Sequence, residues 1–455
     1  MKNKYGLHKS VLGIGMLGMV ALVGLLSACG SGGGGGSAAP AGWTGTKQLG
    51  AAGASTYGYG VAVDAGGNVY VAGLTNGGLD GNTLTGVHDF FLTKYDTAGT
   101  KLSTKQLGVA PADTEALATA VDAKNGYVYV VGYTTGGLDW SALAGTTDFF
   151  LTKYDTAGTR LSTRQLGVAG ANTTATGVAV DVNGNVYVVG ATDGGLDGNV
   201  LTGTQDFFLT KYNSAGIKQY TKQLGVAGAM TAGSSVAVDA SGNVYVAGYT
   251  QGGLDGNKLT GKGKWDFFLT KYDSAGTKLS TRQLGVAGAD TAALSVAVDV
   301  NNNVYVAGYT RGGLDGNKLV GIGAEDMFVT KYNSAGIKQY TRQLGVAGAS
   351  TMGNSVAVDA SGNVYVAGDT RGGLDGNALT GIQDFFLTKY DSAGTKLSTR
   401  QLGVVGSVTG GSSVAVDAGG NVYVAGGTGG GLDGNKLAGT RDTFVTKYDS
   451  TGKKQ

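Results

Sequence analysis

The chain has 455 residues, of which 86 are glycine and 2 proline, and the glycines fall at fixed intervals, so they punctuate turns rather than mark disorder. Its formal charge of +2 becomes −1 once three leader lysines are removed, which leaves no general pull toward nucleic acid. One cysteine excludes an internal disulfide, and two histidines exclude a metal cluster of the His/Cys kind.

Residues 1–28 place Lys2, Lys4 and Lys9 before an uncharged apolar stretch from Val11 to Leu26. That is the pattern of a signal peptide, with an apolar run too short for a comfortable membrane span. Leu26-Ser27-Ala28-Cys29 closes it and looks like a bacterial lipobox. Cys29 is therefore expected to carry lipid, against the alternative of ordinary secretory cleavage beside an incidental thiol. Two acyl chains plus an acylated amine would hold firmly where one chain binds marginally. Gly30 and Ser31, in place of an aspartate, point to the outer membrane if the host is Gram-negative. Residues 29–42, with the glycine run between Ser31 and Ser37, read as a flexible tether.

From residue 43 onward one unit is written seven times. Gln-Leu-Gly begins at Gln48, Gln106, Gln165, Gln223, Gln283, Gln343 and Gln401, a spacing of 58 to 60 residues. In the fourth copy, Val236 and Val238 alternate with Ala237 as in a half-buried strand. Asp239 to Asn243 supplies turn chemistry, and the apolar run Val244 to Ala247 predicts a strand buried on both faces. Asp266 to Tyr272 is the third strand. Lys278 to Leu284 is the fourth, with Lys278 and Arg282 guarding an exposed edge. No segment after the leader carries a helical period.

Four strands per unit and seven units predict an all-β, seven-bladed β-propeller with four antiparallel strands per blade, spanning residues 43–455. The entry Trp43–Gly50 matches a fourth strand with no blade in front of it, and the exit after Thr446–Asp449 stops where a third strand finishes. Residues 43–49 are thus expected to complete the blade built from residues 412–448. The recurring VAVDASGNVYVAG, DFFLTKYDSAG and QLG strand motifs make the unit resemble the bacterial seven-bladed β-propeller repeat, over nearly all of residues 43–455. The resemblance implies the fold and an extracytoplasmic bacterial setting, as a lipoprotein-anchored member. It carries no shared catalytic motif.

No catalytic residue can be named. His88, the histidine that remains after the leader, reads as a solvated loop residue. Asp64, Asp122, Asp181, Asp239, Asp299, Asp359 and Asp417 open the first turn, which reads as turn chemistry rather than half a calcium loop. Asp80, Asp139, Asp197, Asp255, Asp315, Asp375 and Asp433 sit in the Gly-Gly-Leu-Asp loop between second and third strands. They are either turn formers or an acidic ring able to hold a calcium ion or a basic partner. Symmetry breaks most visibly in the fourth and fifth units, whose loops are longer. Lys262, Lys264, Trp265 and Glu325 there form a candidate ligand-binding patch, against neutral loop drift. Trp140, replacing the usual glycine, is a weaker candidate.

The near-identity of the units favours a lipid-anchored binding or scaffold protein of the cell envelope, without catalysis and without a required cofactor. Its partners are expected to be the membrane, through the anchor, and a protein or glycan, with the propeller a monomer. A periplasmic outer-membrane assembly factor is the first alternative. A polysaccharide hydrolase or lyase using loop aspartates is the second.

Overall fold

A computed structural model describes residues 42–321 and 323–455. The leader, Cys29 and the tether as far as residue 41 lie outside the described residues, as does Ile322. The remainder is a ring of seven four-stranded antiparallel sheets. The fourth blade shows the pattern, with strands Thr231–Val238, Val244–Thr250, Asp266–Tyr272 and Lys278–Leu284. First strands of neighbouring blades touch one another around the axis, and fourth strands form the outer wall. Six loops contain a single 3₁₀ turn, such as Leu254–Gly256.

The third and fourth strands follow the sequence pattern. The first strand begins five residues earlier than its valine alternation, at Thr231. Two features hold this extra length. Thr231 pairs hydroxyls with Thr250 of the second strand at 3.0 Å, a buried pair repeated in every blade. A bulge then interrupts the ladder between Gly233 and Ser235, and every first strand carries its equivalent. The bulge turns the Ala232 carbonyl toward Gly248, where a Cβ would collide with it, so the Gly of each Val-Ala-Gly run is required.

Blades adhere through the alternation of the strands. Successive side chains of a strand point to opposite faces, so the two phenylalanines of Asp-Phe-Phe serve two different seams. Phe268 stacks on Phe207 of the preceding blade at 5.0 Å, and Phe267 stacks on Phe328 of the following one at 5.2 Å. Val244, Tyr245, Val246 and Ala247 are buried on both faces, as the unbroken apolar run predicts. The third-strand lysine adds a polar clasp: Lys211 Nζ donates to the Ser274 carbonyl of the next blade at 2.8 Å. Arg282 likewise donates to the next blade's Gly336 carbonyl at 3.3 Å, so the outer-wall cations are engaged within the protein as well as guarding an edge.

A buried carboxylate organises the loop of each blade. Asp384, fully buried, accepts Thr380 N–H at 2.8 Å, Gly381 N–H at 2.7 Å and Gln401 Nε2 at 3.0 Å. Gln401 Oε1 in turn accepts Leu374 N–H at 2.9 Å. The glycine that follows in Gln-Leu-Gly lies so close to this carboxylate that a Cβ at Gly403 would run into it.

The ring closes through the N-terminal strand. Lys47–Leu49 pairs with Asp442–Tyr448 in the register Lys47↔Val445, Gln48↔Phe444 and Leu49↔Thr443. The other end continues the same strand, since Tyr448 bridges Lys454 and Gly45 N–H donates to the Gln455 carbonyl at 2.8 Å. Trp43 is buried against Tyr95 and Tyr423, with ring centroids 6.1 and 5.6 Å away. Trp43→Ala is expected to cost about 3–5 kcal/mol, measured by denaturant unfolding. A loss below about 1 kcal/mol would show that closure does not depend on this latch.

Candidate functional site

Both aspartate sets are occupied by protein partners. Asp239 Oδ1 accepts the N–H groups of Ser241 and Asn243 at 2.9 and 2.8 Å, while Oδ2 accepts Asn243 Nδ2 at 2.7 Å and the Tyr245 hydroxyl at 3.0 Å. Four donors fill this carboxylate, which accounts for the recurrent Asp-x-x-Gly-Asn-Val-Tyr. Each member of the second set has its own basic partner. Asp80, Asp197, Asp255, Asp315, Asp375 and Asp433 each form an ion pair with a lysine of the adjoining outer strand: Lys101, Lys218, Lys278, Lys338, Lys396 and Lys454. Asp139 pairs with Arg160 at 2.8 Å. All seven residues have a left-handed backbone, with φ between 51° and 59°. Trp140 follows with φ 67° and is fully exposed, at a place where the other units use glycine. Because these pairs are partly exposed, Asp375→Asn is expected to cost less than about 1 kcal/mol, and added Ca²⁺ to leave its melting temperature and that of the parent unchanged. A clear Ca²⁺-dependent rise in the parent would restore the acidic-ring reading.

The variable chemistry lies on the inner rim instead. At each seam, the Thr that opens a first strand donates its N–H to the carbonyl of the residue just before the preceding blade's third strand. The seven acceptors are His88, Thr147, Gln205, Trp265, Glu325, Gln383 and Arg441, at 2.8 to 2.9 Å. The backbone is the same at every seam and the side chains differ. Trp265 and Glu325, singled out from their longer loops, occupy this position. The bulge places a second variable residue nearby, and in some blades its side chain reaches the next blade. Thr176 Oγ1 donates to the Gly233 carbonyl at 2.7 Å and Asn354 Nδ2 to the Gly411 carbonyl at 3.0 Å. Start of first strand, end of second and start of third all lie on one face of the ring, by topology.

The rim has two unlike arcs. Tyr249, Ala292 and Leu294 are buried in an apolar cluster, against which Met230, Trp265, Tyr309 and Met352 pack partly exposed. Trp265 lies 4.9 Å from Tyr249, ring to ring. Beside it the structure joins the two predicted loops. Lys264 Nζ is 3.9 Å from Asp290, Arg311 Nη1 is 3.6 Å from the same carboxylate, and Arg311 Nη2 donates to Glu325 at 2.7 Å. Burial pushes the Glu325 carboxyl up, but hydrogen bonds from Ser350 and Arg311 outweigh it and hold the group below its usual range. Lys262 is exposed at the tip of its loop.

The opposite arc carries Tyr57 and Tyr59, 4.7 Å apart, with the Arg441 guanidinium 5.2 Å from the Tyr57 ring. Next to them His88 Nδ1 lies 2.7 Å from Asp113 Oδ1 and 4.0 Å from Glu115 Oε1. His88 is therefore not the solvated loop residue that sequence reasoning expects: it lies part-buried against a carboxylate. Sequence reasoning gives Asp113 and Glu115 no site role. The available signal was at hand, since Glu115 is one of two glutamates in the chain and replaces small or neutral residues at its repeat position. Burial raises the Glu115 carboxyl pKa, more than Tyr133 and His88 lower it.

Five segments, residues 45–80, 163–197, 219–255, 281–315 and 339–375, match the β-propeller repeat family. The chain is a β-propeller repeat protein. A curated relative, Regulatory protein FlaEY of Caulobacter vibrioides, is 27% identical over 427 residues. The match covers 81% of this propeller chain but only 43% of that relative's length. Among solved structures, the WD40 repeats of RRP9 share the propeller fold at a TM-score of 0.50 and 10% identity, covering 88% of this chain and 97% of that one. U3-55K does so at 0.51 and 11%, covering 88% and 98%. These likenesses show the fold alone.

One rim group makes the propeller's stability pH-dependent. Asp369, at the end of a second strand, accepts Asn354 Nδ2 at 2.7 Å, and burial pushes its carboxyl up to about 6. Between roughly pH 4 and 6 the folded chain holds a proton that the unfolded chain has released, so this residue lowers stability as pH rises through that window. Asp369→Asn keeps the acceptor oxygen and is expected to stabilise by about 1–2 kcal/mol at pH 7, with the gain vanishing near pH 4. A gain equal at both pH values, in paired unfolding curves, would contradict this.

Proposed function

We propose that this propeller is a lipid-anchored binding or scaffold protein of the cell envelope that captures a partner on its inner rim without turning it over. The observation that carries the reading is the separation of constant from variable positions. Clamps, seams and turns repeat from blade to blade, whereas the seven seam acceptors and the bulge residues change in size, charge and polarity. A surface built this way presents many different groups on one rigid frame, which suits recognition. The arc of Met230, Trp265, Tyr309 and Met352 offers adaptable and aromatic contacts to an apolar segment of a protein partner. The charged cluster of Lys264, Asp290, Arg311 and Glu325 flanks it and would set orientation. The lipobox-like Leu26–Cys29 supports the anchor and the extracytoplasmic address, and the description of the Caulobacter relative as a regulatory protein accords with a binding role.

The test is site-specific photo-crosslinking on cells. A photoreactive group at Tyr309, on the rim, is expected to yield a discrete adduct, whereas one at Lys124, in a turn on the opposite face, is not. Trp265→Ala is expected to reduce rim capture at least tenfold, a loss of about 1.4 kcal/mol or more in binding. Because Trp265 packs on Tyr249, its melting curve is read alongside. Capture from Lys124 and not from the rim would overturn the proposal.

A second reading rests on Glu115. A buried carboxyl with a raised pKa beside a histidine is a pair of the kind acid/base catalysis uses. If the propeller is a polysaccharide hydrolase or lyase, glycan turnover by the purified chain should disappear in Glu115→Gln. The loop aspartates do not serve this reading well, since lysine and arginine already hold them.

A further inference from the structure

We propose that His88, Asp113 and Glu115 form a site for one divalent transition-metal ion, set into the seam between the first and second blades. The three residues come from two segments. His88 precedes the third strand of the first blade, while Asp113 and Glu115 flank the start of the second blade's first strand, Thr114–Asp122. One nitrogen and two carboxylate oxygens lie within 4.8 Å of one another, and among the described residues this is the one grouping of its kind.

Two observations point to a ligand rather than a chance cluster. The Glu115 side chain is 7% exposed, and its Oε2 is buried without a hydrogen-bond partner. An unsatisfied buried carboxylate oxygen is costly, by roughly 1–3 kcal/mol or more, and a cation held by this carboxylate, whose Oε1 faces His88 and which Tyr133 also hydrogen-bonds, would offset that cost. The second observation is singularity. The equivalent trios at other seams are Thr147, Asn172 and Thr174, or Gln205, Met230 and Ala232, on the same backbone and with no comparable ligand set. The framework is constant, and this seam alone among the described ones brings imidazole and two carboxylates together.

The donor set selects the ion class. Imidazole favours zinc, iron, nickel or copper, and paired carboxylates suit a hard divalent charge, so zinc or a neighbouring first-row ion fits better than calcium, which takes six to eight oxygens. In a tetrahedral zinc site, ligand atoms about 2.0–2.1 Å from the metal stand roughly 3.3 Å apart. Nδ1 and Oδ1 at 2.7 Å are closer than that, as befits a pair sharing a proton, and must part by about half an ångström when the proton is exchanged for the metal. Such an ion would tie the first blade to the second at the rim, beside Tyr59 and Tyr133.

The test uses the purified, untagged chain stripped with a chelator and titrated with Zn²⁺ by calorimetry, with elemental analysis after dialysis. One zinc per chain is expected, bound at least tenfold more tightly than Ca²⁺. His88→Ala is expected to abolish binding and Glu115→Gln to weaken it at least tenfold. Glu325→Gln, which alters the other glutamate, is expected to leave it unchanged. Glu115→Gln removes a buried charge while keeping the shape, so its fold, checked by its unfolding curve, is expected to survive. Failure of the parent to bind zinc, undiminished binding in His88→Ala, or calcium binding as tight as zinc would each overturn the assignment.

Discussion

The structure depends on the buried carboxylate that opens every third strand. It gathers two loop N–H groups and a glutamine amide, and that glutamine in turn holds the loop's leucine N–H. One aspartate thus fixes the end of the long loop, the outer strand and the starting point of the third strand together. Buried and charged, it would be destabilising without these donors, which is why aspartate, glutamine and the glycine beside them recur as a set. The residue immediately before this aspartate inherits its precision. His88, Trp265, Glu325 and Arg441 are placed on the rim by a clamp in which their own side chains take no part.

That arrangement explains how a repetitive chain acquires a particular surface. Blade packing tolerates little variation, because stacked phenylalanines and doubly buried valines meet at seams that must close through a full turn. Met327 and Thr443, standing where other blades have phenylalanine, mark how far this can be relaxed. At the rim no such packing rule applies. A bulge and a seam hydrogen bond, both made by backbone, set position while leaving side chains free to diverge.

Much of the architecture was legible in the sequence. Period, strand count, doubly buried second strand and the N-terminal latch all follow from hydrophobic pattern and spacing. The early start of the first strand was not, since Thr231–Ser235 has no apolar alternation and is held by hydroxyl pairing and a bulge. The rim was legible in part. Trp265 and Glu325 stood out because insertions surround them, whereas Asp290 and Arg311 lie outside the inserted residues and are joined to them through space. His88, Asp113 and Glu115 span 28 residues of sequence and two blades, and only the seam makes them neighbours. The loop aspartates carry a local signal as well. Their sevenfold recurrence reads as a ring, yet recurrence within a blade equally signals a local partner, here the first basic residue of the outer strand.

Recurrence and function therefore point apart in this chain. A residue present in all seven units is constrained by something all seven units share, and Asp239 with its four donors or Asp384 with its three shows what that is. A residue present in one unit is constrained by nothing in the repeat. When one atom of such a residue is also buried and unsatisfied, as Glu115 Oε2 is, the repeat supplies no partner for that atom. A cation held together with the imidazole and second carboxylate of the same seam would offset its cost, and it is the proposed occupant.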